Sequence, residues 1–167
     1  MVSANNRPPK SGNKRSAARL AAVQALYQMD ISGADLFATL SEFEAFRLGK
    51  EVDGDIYRDA DVAFFRDIAG GVVREQKVLD PAIDGVLKEG WPLARIDSTL
   101  RQILRCGAYE IYYRRDVPAR AAIVEYVDIA NAFFTNGEEP RIVNAILDTL
   151  GRQERAEDFS GAAPRSA

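Results

Sequence analysis

Histidine is absent from this chain of 167 residues, and cysteine occurs once, as Cys106. Without histidine, catalysis by a histidine base or a serine–histidine triad is excluded, and so is a zinc site built from cysteine and histidine. A single cysteine cannot form a disulfide within the chain. Because no histidine can activate Cys106, we interpret it as a small buried apolar side chain. The sequence therefore predicts no enzyme, no metal site and no cofactor.

Long apolar runs are missing as well. No stretch of about 18 apolar residues is present that could span a bilayer. The basic residues near the N-terminus are not followed by the apolar segment of a signal peptide. We therefore expect a cytoplasmic protein without a membrane partner. With 47% hydrophobic and 28% charged residues, a chain of this length can bury a core of its own.

Alternation with a period of two, which is typical of a half-buried strand, does not occur either. Apolar residues recur every three or four positions, which predicts an all-α fold of about seven helices in two packed helical subdomains. The helices are expected from about Asn13 to Asp30, over 35–48, from Asp61, from Asp80-Pro81 to Gly90, from Asp97 to about Arg114, around 123–134 and from Pro140 to about Gly151. The subdomains are predicted at about 13–77 and 80–154, and the tails 1–12 and 155–167 are predicted to be disordered.

Two local signals within this pattern carry specific expectations. Asp80-Pro81 combines a capping residue with proline at the first helical position, which predicts the start of a fourth helix. Gly70-Gly71 lies inside the third helix, where each glycine costs about 1 kcal/mol relative to alanine. Close approach of another helix is the expected compensation.

The first helix changes character along its length. Lys14, Arg15 and Arg19 make its front basic, and an apolar stripe begins at Leu20. Five of the 22 Lys and Arg, and none of the 25 Asp and Glu, lie in the first 19 residues. Cations at a helix N-terminus oppose the helix dipole, so an anionic partner would explain them. A solubilising tail explains them equally well.

Other cations are candidates for the same role. Arg105 lies on the longest helix and Arg114 ends it, while Arg141 opens the last helix with Asn144 one turn later. Arginines with nearby aromatics such as Tyr27 would suit single-stranded RNA, because cations bind phosphates and unstacked bases meet planar groups. For each arginine alone, a surface ion pair is the stronger interpretation, and for the aromatics a place in the core.

Five groups of short segments occur in a fixed order along the chain. They are Arg15–Tyr27, then Phe65-Arg66-Asp67, then Ile103-Leu104-Arg105 with Ala108-Tyr109-Glu110, then Asp116-Val117-Pro118 with Ile123-Val124-Glu125, and finally Ile142–Asp148. In this order they resemble the NusB family of bacterial transcription antitermination factors. Any one match is weak, but five in register over about residues 13–151 are specific.

The resemblance implies an all-helical fold of two subdomains and a function without catalysis. It implies binding to the boxA element in single-stranded leader transcripts of ribosomal RNA. It also implies pairing with NusE, a small-subunit ribosomal protein, in the RNA polymerase elongation complex with other Nus factors. Some relatives form a homodimer, and the sequence does not decide the oligomeric state of this chain.

The resemblance also assigns roles to individual positions. The RNA-binding positions matched in this chain are Lys14, Arg15, Arg19, Arg105, Arg141 and Asn144. Tyr27 matches a position near the NusE surface. Ser16 and Ala17 stand where some relatives carry more arginine, which predicts a weaker electrostatic contribution. Ile142 stands where many relatives have phenylalanine, which argues against a stacking contact there.

Two other classes of protein stay open. The N-terminal part of ribosomal RNA cytosine methyltransferases has the same helical fold, so a stand-alone RNA-recruiting domain of that kind is the first alternative. The sequence contains neither a cofactor-binding α/β pattern nor the catalytic cysteines of those enzymes. The second alternative is a helical adaptor that binds only proteins, for which RNA affinity would stay at a non-specific level.

Overall fold

The computed structural model describes residues 11–46, 51–52, 55–56, 61–87 and 92–160. The helices are α1 (Ser11–Ser32), α2 (Leu36–Phe46), α3 (Val62–Asp84), α4 (Ser98–Tyr113), α5 (Ala119–Phe133) and α6 (Glu139–Glu154). Two-residue strands, β1 (Glu51–Val52) and β2 (Asp55–Ile56), pair antiparallel within a segment that was predicted as a loop. The all-α prediction is confirmed. No helix in the described ranges is long and apolar enough to cross a membrane.

A single helix, α3, replaces the two helices predicted on either side of Asp80-Pro81. Pro81 lies in the last turn of α3, so its missing N–H removes a hydrogen bond only near the helix end. The Asp80 carboxylate does not cap a helix, because it accepts hydrogen bonds from Nε and Nη2 of Arg105 at 2.8 and 2.7 Å. The prediction of a helix start at Asp80 was therefore wrong. Asp61 and Asp97 do cap α3 and α4 through backbone N–H groups in the first turns.

Helix α4 lies at the centre of the core, where it contacts α1, α3, α5 and α6. A Cβ on Gly71 of α3 would lie 2.1 Å from Cζ of Tyr109 on α4, so the predicted close approach is confirmed at that position. A Cβ on Gly70 would meet no described atom within 4 Å. Because α4 packs against helices on both sides of the split predicted between about residues 77 and 97, the division into two subdomains stays a prediction.

The predicted tails differ from the structure at their inner ends. Helix α1 begins at Ser11, two residues before the predicted start, and residues 1–10 and 161–167 lie outside the described part. Residues 155–160, predicted to be disordered, are ordered, and 156–159 form a 3-10 turn. Helix α6 continues to Glu154, three residues past its predicted end at about Gly151. Phe159 packs on this glycine, where a Cβ would lie 2.8 Å from Cζ of the ring.

Two side chains hold the segment 155–160 against the start of α5. Arg155 is buried, and its Nη1 donates to the carbonyl of Val117 at 2.7 Å. Asp158 accepts a hydrogen bond from the backbone N–H of Ala119 at 2.9 Å. Helix α5 begins after Pro118, which has no side-chain acceptor, so Asp158 supplies the cap from a distant part of the chain.

Candidate nucleic-acid interface

The first turns of α1 place two of the predicted cations at the surface. Lys14 is exposed, and its backbone carbonyl accepts from the N–H of Asp61 at 3.1 Å, which fixes α1 against the start of α3. Arg15 is half-exposed, and its Nη1 lies 3.5 Å from Oδ2 of Asp116. Its Nε lies 3.8 Å from Oδ2 of Asp61. Arg15 therefore reaches solvent with two carboxylates beside it.

Arg19 is buried, with only 4% of the residue exposed. Its Nε and Nη2 donate to the two carboxylate oxygens of Glu110 at 2.7 and 2.9 Å, and its Nη1 lies 3.5 Å from Oε1 of Glu125. Tyr126 donates to Glu110, and Ser16 donates to Glu125 at 2.9 Å. We call these five side chains the Arg19 network. The other four compensate for the removal of the Arg19 guanidinium from water. The donors of Arg19 are engaged inside the protein, so contact with RNA would require part of this network to open, and the RNA-binding role of Arg19 stays a prediction.

The ionisation of the Arg19 network is set by its burial and by Glu110. Burial raises the pKa of the Tyr126 phenol well above its ordinary value, and the charge of Glu110 adds to this effect. Burial lowers the pKa of Arg19, but its hydrogen bond to Glu110 and the charge of that group outweigh this and leave the pKa raised. Arg19 stays cationic and Tyr126 stays neutral, so the network keeps its hydrogen-bonding pattern at ordinary pH.

One buried aromatic ring, Phe64 at the start of α3, lies beneath three guanidinium groups. The Cζ atoms of Arg15, Arg19 and Arg114 lie 4.6, 5.0 and 4.9 Å from the ring centroid, within the range of cation–π attraction. Arg114 also contacts Asp116 at 3.0 Å. We call Phe64, Arg15, Arg114 and Asp116 the Phe64 cluster. The sequence offered Arg114 as one of several candidate cations but could not place it beside Arg15, because nothing local connects the two.

Arg105 lies away from this cluster. Its guanidinium donates to Asp80 on α3. One turn earlier on α4, Nη1 of Arg101 lies 2.6 Å from Oδ2 of Asp30, near the end of α1. Asp30 is 15 residues beyond Arg15, which corresponds to about 22 Å along the helix axis. The structure therefore does not bring Arg105 together with Lys14 and Arg15.

Arg141 and Asn144 are both exposed on the first turns of α6. They are three positions apart, so they share one face of the helix. Ile142 between them is half-buried and packs against the core. The N-terminus of α6 thus presents one cation and one amide to solvent.

Tyr27 lies on the edge of an open groove of about 550 Å³. The groove is lined by Val23, Gln24, Tyr27, Gln28, Ile31, Ser32, Phe43, Thr99 and Phe133. Tyr27 is 39% exposed and Phe133 is 42% exposed, so both rings meet solvent instead of filling the core. Two exposed aromatic rings beside an apolar groove are typical of a protein-binding surface.

The described residues thus define a helical binding protein with two candidate surfaces, one basic and one apolar. They contain no group of three or more acidic or cysteine side chains that could hold a metal ion. Cys106 is fully buried, and burial raises the pKa of its thiol, as expected for a packed and unreactive side chain. The profile of the NusB family matches residues 16–152, and the chain belongs to that family.

Curated relatives and solved structures agree with this assignment. The transcription antitermination protein NusB of Rhodopseudomonas palustris (strain TIE-1) is 58% identical over 151 residues, which cover 90% of this chain and 86% of the relative. The protein of the same name from Bradyrhizobium diazoefficiens is 56% identical over 160 residues, which cover 93% and 96%. Both relatives match along nearly their whole length.

The fold is shared with experimental structures. T. maritima NusB superposes with a TM-score of 0.71 and 27% identity, covering 87% of this chain and 96% of that one. A crystal structure of the antitermination factors NusB and NusE in complex with dsRNA contains a chain that superposes with a TM-score of 0.68 and 20% identity, covering 84% of this chain and 97% of that one. At 20% identity, this second likeness shows the fold alone.

Proposed function

We propose that this protein is an RNA-binding transcription antitermination factor. It binds the boxA element of ribosomal RNA leader transcripts together with NusE and promotes processive transcription of ribosomal RNA. It acts in the elongation complex that RNA polymerase forms with other Nus factors. The observation that carries this proposal is the extent of the family match, since relatives named transcription antitermination proteins are 58% and 56% identical over at least 86% of their own length.

The RNA surface in this proposal consists of Lys14 and Arg15, with Arg141 and Asn144 as a second exposed group. Lys14 and Arg15 match the basic N-terminus through which the family binds RNA, and both reach solvent. Asp80 occupies Nε and Nη2 of Arg105, and the remaining Nη1 lies 3.4 Å from Oε1 of Gln102, so Arg105 is a predicted contact with few donors available to a phosphate while this ion pair is closed.

The NusE surface in this proposal is the groove beside Tyr27. The groove is apolar and carries exposed rings on α1 and α5, which suits a protein partner better than a phosphate backbone. The RNA and protein surfaces are then separate, so both partners can bind at the same time.

The test is fluorescence anisotropy with a boxA RNA and a scrambled RNA, with and without NusE, at one stated salt concentration. We expect preferential boxA binding that NusE tightens. Equal and weak binding of both RNAs, even with NusE, would refute the proposal and favour an adaptor that binds only proteins. Binding of S-adenosylmethionine would favour the methyltransferase-related alternative.

A second arm of the experiment locates the RNA surface. Replacing Lys14 and Arg15 by alanine should lower the magnitude of the log–log salt slope by about 1.4, since each contact to a single strand contributes about 0.7. Lys77→Ala with Arg95→Ala is the matched control, because it also removes two exposed cations, from α3 and from the turn before α4. An equal loss in both double variants would mean that general charge, and not this surface, binds the RNA.

The proposal includes no catalytic step, and we place the protein in the cytoplasm, where bacterial transcripts are made. The absence of histidine removes the commonest general base, and the buried cysteine is not available as a nucleophile.

A further inference from the structure

Asp116 closes the exposed side of the Phe64 cluster. Its Oδ2 accepts from Nη2 of Arg114 at 3.0 Å and from Nη1 of Arg15 at 3.5 Å, so one oxygen lies between two guanidiniums. The Asp116 side chain is 53% exposed, compared with 36% for Arg15 and 24% for Arg114. The carboxylate is therefore the outermost of the three charged groups.

The two guanidiniums are held from behind by groups other than Asp116. Both lie against the Phe64 ring, with Cζ atoms 4.6 and 4.9 Å from its centroid. Arg114 also pairs with Asp67 at 3.3 Å, and Arg15 lies 3.8 Å from Asp61. If Asp116 moved into solvent, these contacts would keep both cations in place.

The two arginines hold the Asp116 carboxyl in its charged form. Partial burial raises the pKa of Asp116, but the charge and hydrogen bond of Arg114, together with the charge of Arg15, leave its pKa below the ordinary value. A phosphate carries several acceptor oxygens and suits paired guanidiniums better than a single carboxylate oxygen does.

We propose that Arg15 and Arg114 form a binding site for a phosphate of the RNA strand, and that Asp116 occupies this site until RNA displaces it. The inference deepens the proposed function and rests on it. Asp116 competes with every phosphate alike, so it lowers affinity for all RNA sequences and leaves discrimination to contacts with bases elsewhere. The sequence offered Arg114 only as one of several candidate cations, and the family resemblance gave it no role in RNA binding. The Phe64 cluster makes it a specific phosphate contact.

The experiment compares Asp116→Asn with Glu44→Gln by anisotropy on boxA RNA and on scrambled RNA. Each variant converts one carboxylate into an amide and removes its charge from beside arginine. Asp116 contacts Arg15 and Arg114, and Glu44 binds Arg66 between α2 and α3. We expect Asp116→Asn to tighten both RNAs by about two- to fivefold, the range that an exposed ion pair is worth. Glu44→Gln should leave both affinities unchanged.

A double-mutant cycle separates a local site from general charge. The gain from Asp116→Asn should disappear in an Arg114→Gln background, and circular dichroism and thermal unfolding verify that each variant is folded. A gain that persists without Arg114, or that equals the gain of Glu44→Gln, overturns the inference. If isothermal titration shows that the Asp116→Asn variant binds millimolar inorganic phosphate, while its affinity for both RNAs equals that of the wild-type protein, the site is one for the free ion and the assignment to an RNA strand fails.

The inference and the proposed function fail in different ways. Loss of the boxA preference in the wild-type protein refutes the proposed function. The comparison of Asp116→Asn with Glu44→Gln on scrambled RNA still decides whether Asp116 covers a phosphate site, because a phosphate contact does not depend on sequence.

Discussion

Arg19 of α1 and Glu110 of α4 form a bidentate ion pair in the core, with N–O distances of 2.7 and 2.9 Å, although 91 positions separate them in the chain. Glu125 and Tyr126 extend the pair to α5. A buried pair of this kind contributes little net stability, because desolvation of both charges offsets their attraction, but removal of one partner leaves the other charge uncompensated. The pair therefore fixes how α1 lies against α4 and α5.

Arg19→Ala should destabilise the fold by about 3–5 kcal/mol, the usual effect of leaving one buried charge without its partner. Chemical denaturation followed by circular dichroism measures this change. Lys14→Ala is the control, since Lys14 is an exposed cation on the same helix, and its free energy of unfolding should change by less than about 0.5 kcal/mol. Equal stability of the two variants would contradict the structural role of Arg19.

The all-α class could be predicted from the sequence because buried faces recur with the helical period, and the caps at Asp61 and Asp97 are local signals. The ion pair of Arg19 could not be predicted, since its partner Glu110 is 91 positions away and no local rule connects them. The local sequence shows only that the front of α1 is basic. It does not show that α4, in the second half of the chain, places the carboxylate of Glu110 beside Arg19.

Two other differences between the predictions from sequence and the structure have the same cause. Asp80 carries a strong capping signal, but Arg105, 25 positions later, binds its carboxylate and the helix continues through Pro81. Residues 155–160 have the composition of a disordered tail, yet Arg155 and Asp158 bind backbone groups near the start of α5. In both cases a contact distant in sequence outweighs a correct local preference.

Gly71→Ala should destabilise the protein by about 1–3 kcal/mol, because the new Cβ would overlap the Tyr109 ring at 2.1 Å and force either the ring or α3 to shift. Gly70→Ala is a matched control on the same helix, where a Cβ would have open space among the described atoms. Replacing that glycine should leave stability unchanged or raise it by up to about 1 kcal/mol. Thermal unfolding of both variants tests the pair, and similar melting temperatures would contradict this packing.

Asp158→Ala should lower the free energy of unfolding by more than about 1 kcal/mol. The start of α5 loses the side chain that accepts the N–H of Ala119, and the buried Arg155 loses the carboxylate 2.6 Å from its Nη2. Asp158→Asn keeps an acceptor oxygen for the N–H of Ala119 but not the charge beside Arg155, so it should restore only the part of the loss that is due to the cap. Glu157→Ala is the control, since that side chain is exposed and makes only a surface contact of 3.4 Å with Arg115. Urea denaturation distinguishes the three variants, and an equal effect of Glu157→Ala would refute the cap.

The free energy of unfolding should fall at alkaline pH as Tyr109 loses its proton. Burial raises the pKa of Tyr109 to about 12, with a further contribution from its hydrogen bond to Asp67. The unfolded phenol has a pKa of about 10, so the folded state holds this proton more tightly. The stabilising contribution is complete below about pH 10 and is lost as pH rises towards about 12.

The measurement is the free energy of unfolding in urea at several pH values from about 9 to 11, for the wild-type protein and for Tyr109→Phe. The variant should lose less stability over this range, although Tyr126, whose pKa is also raised, retains part of the dependence. Identical slopes for the two proteins would show that Tyr109 titrates at its ordinary pKa.

Tyr27→Ala should weaken binding of NusE by about 2 kcal/mol, or roughly thirtyfold in Kd, because an exposed ring at the edge of an apolar groove is the kind of side chain that contributes most to a protein interface. RNA binding without NusE should not change, since Tyr27 lies three turns along α1 from Arg15. Tyr113→Ala is the matched control, because that tyrosine is 42% exposed on α4 and does not line the groove. Isothermal titration with NusE measures all three proteins. Equal affinities for the Tyr27 and Tyr113 variants would mean that NusE binds elsewhere on the surface.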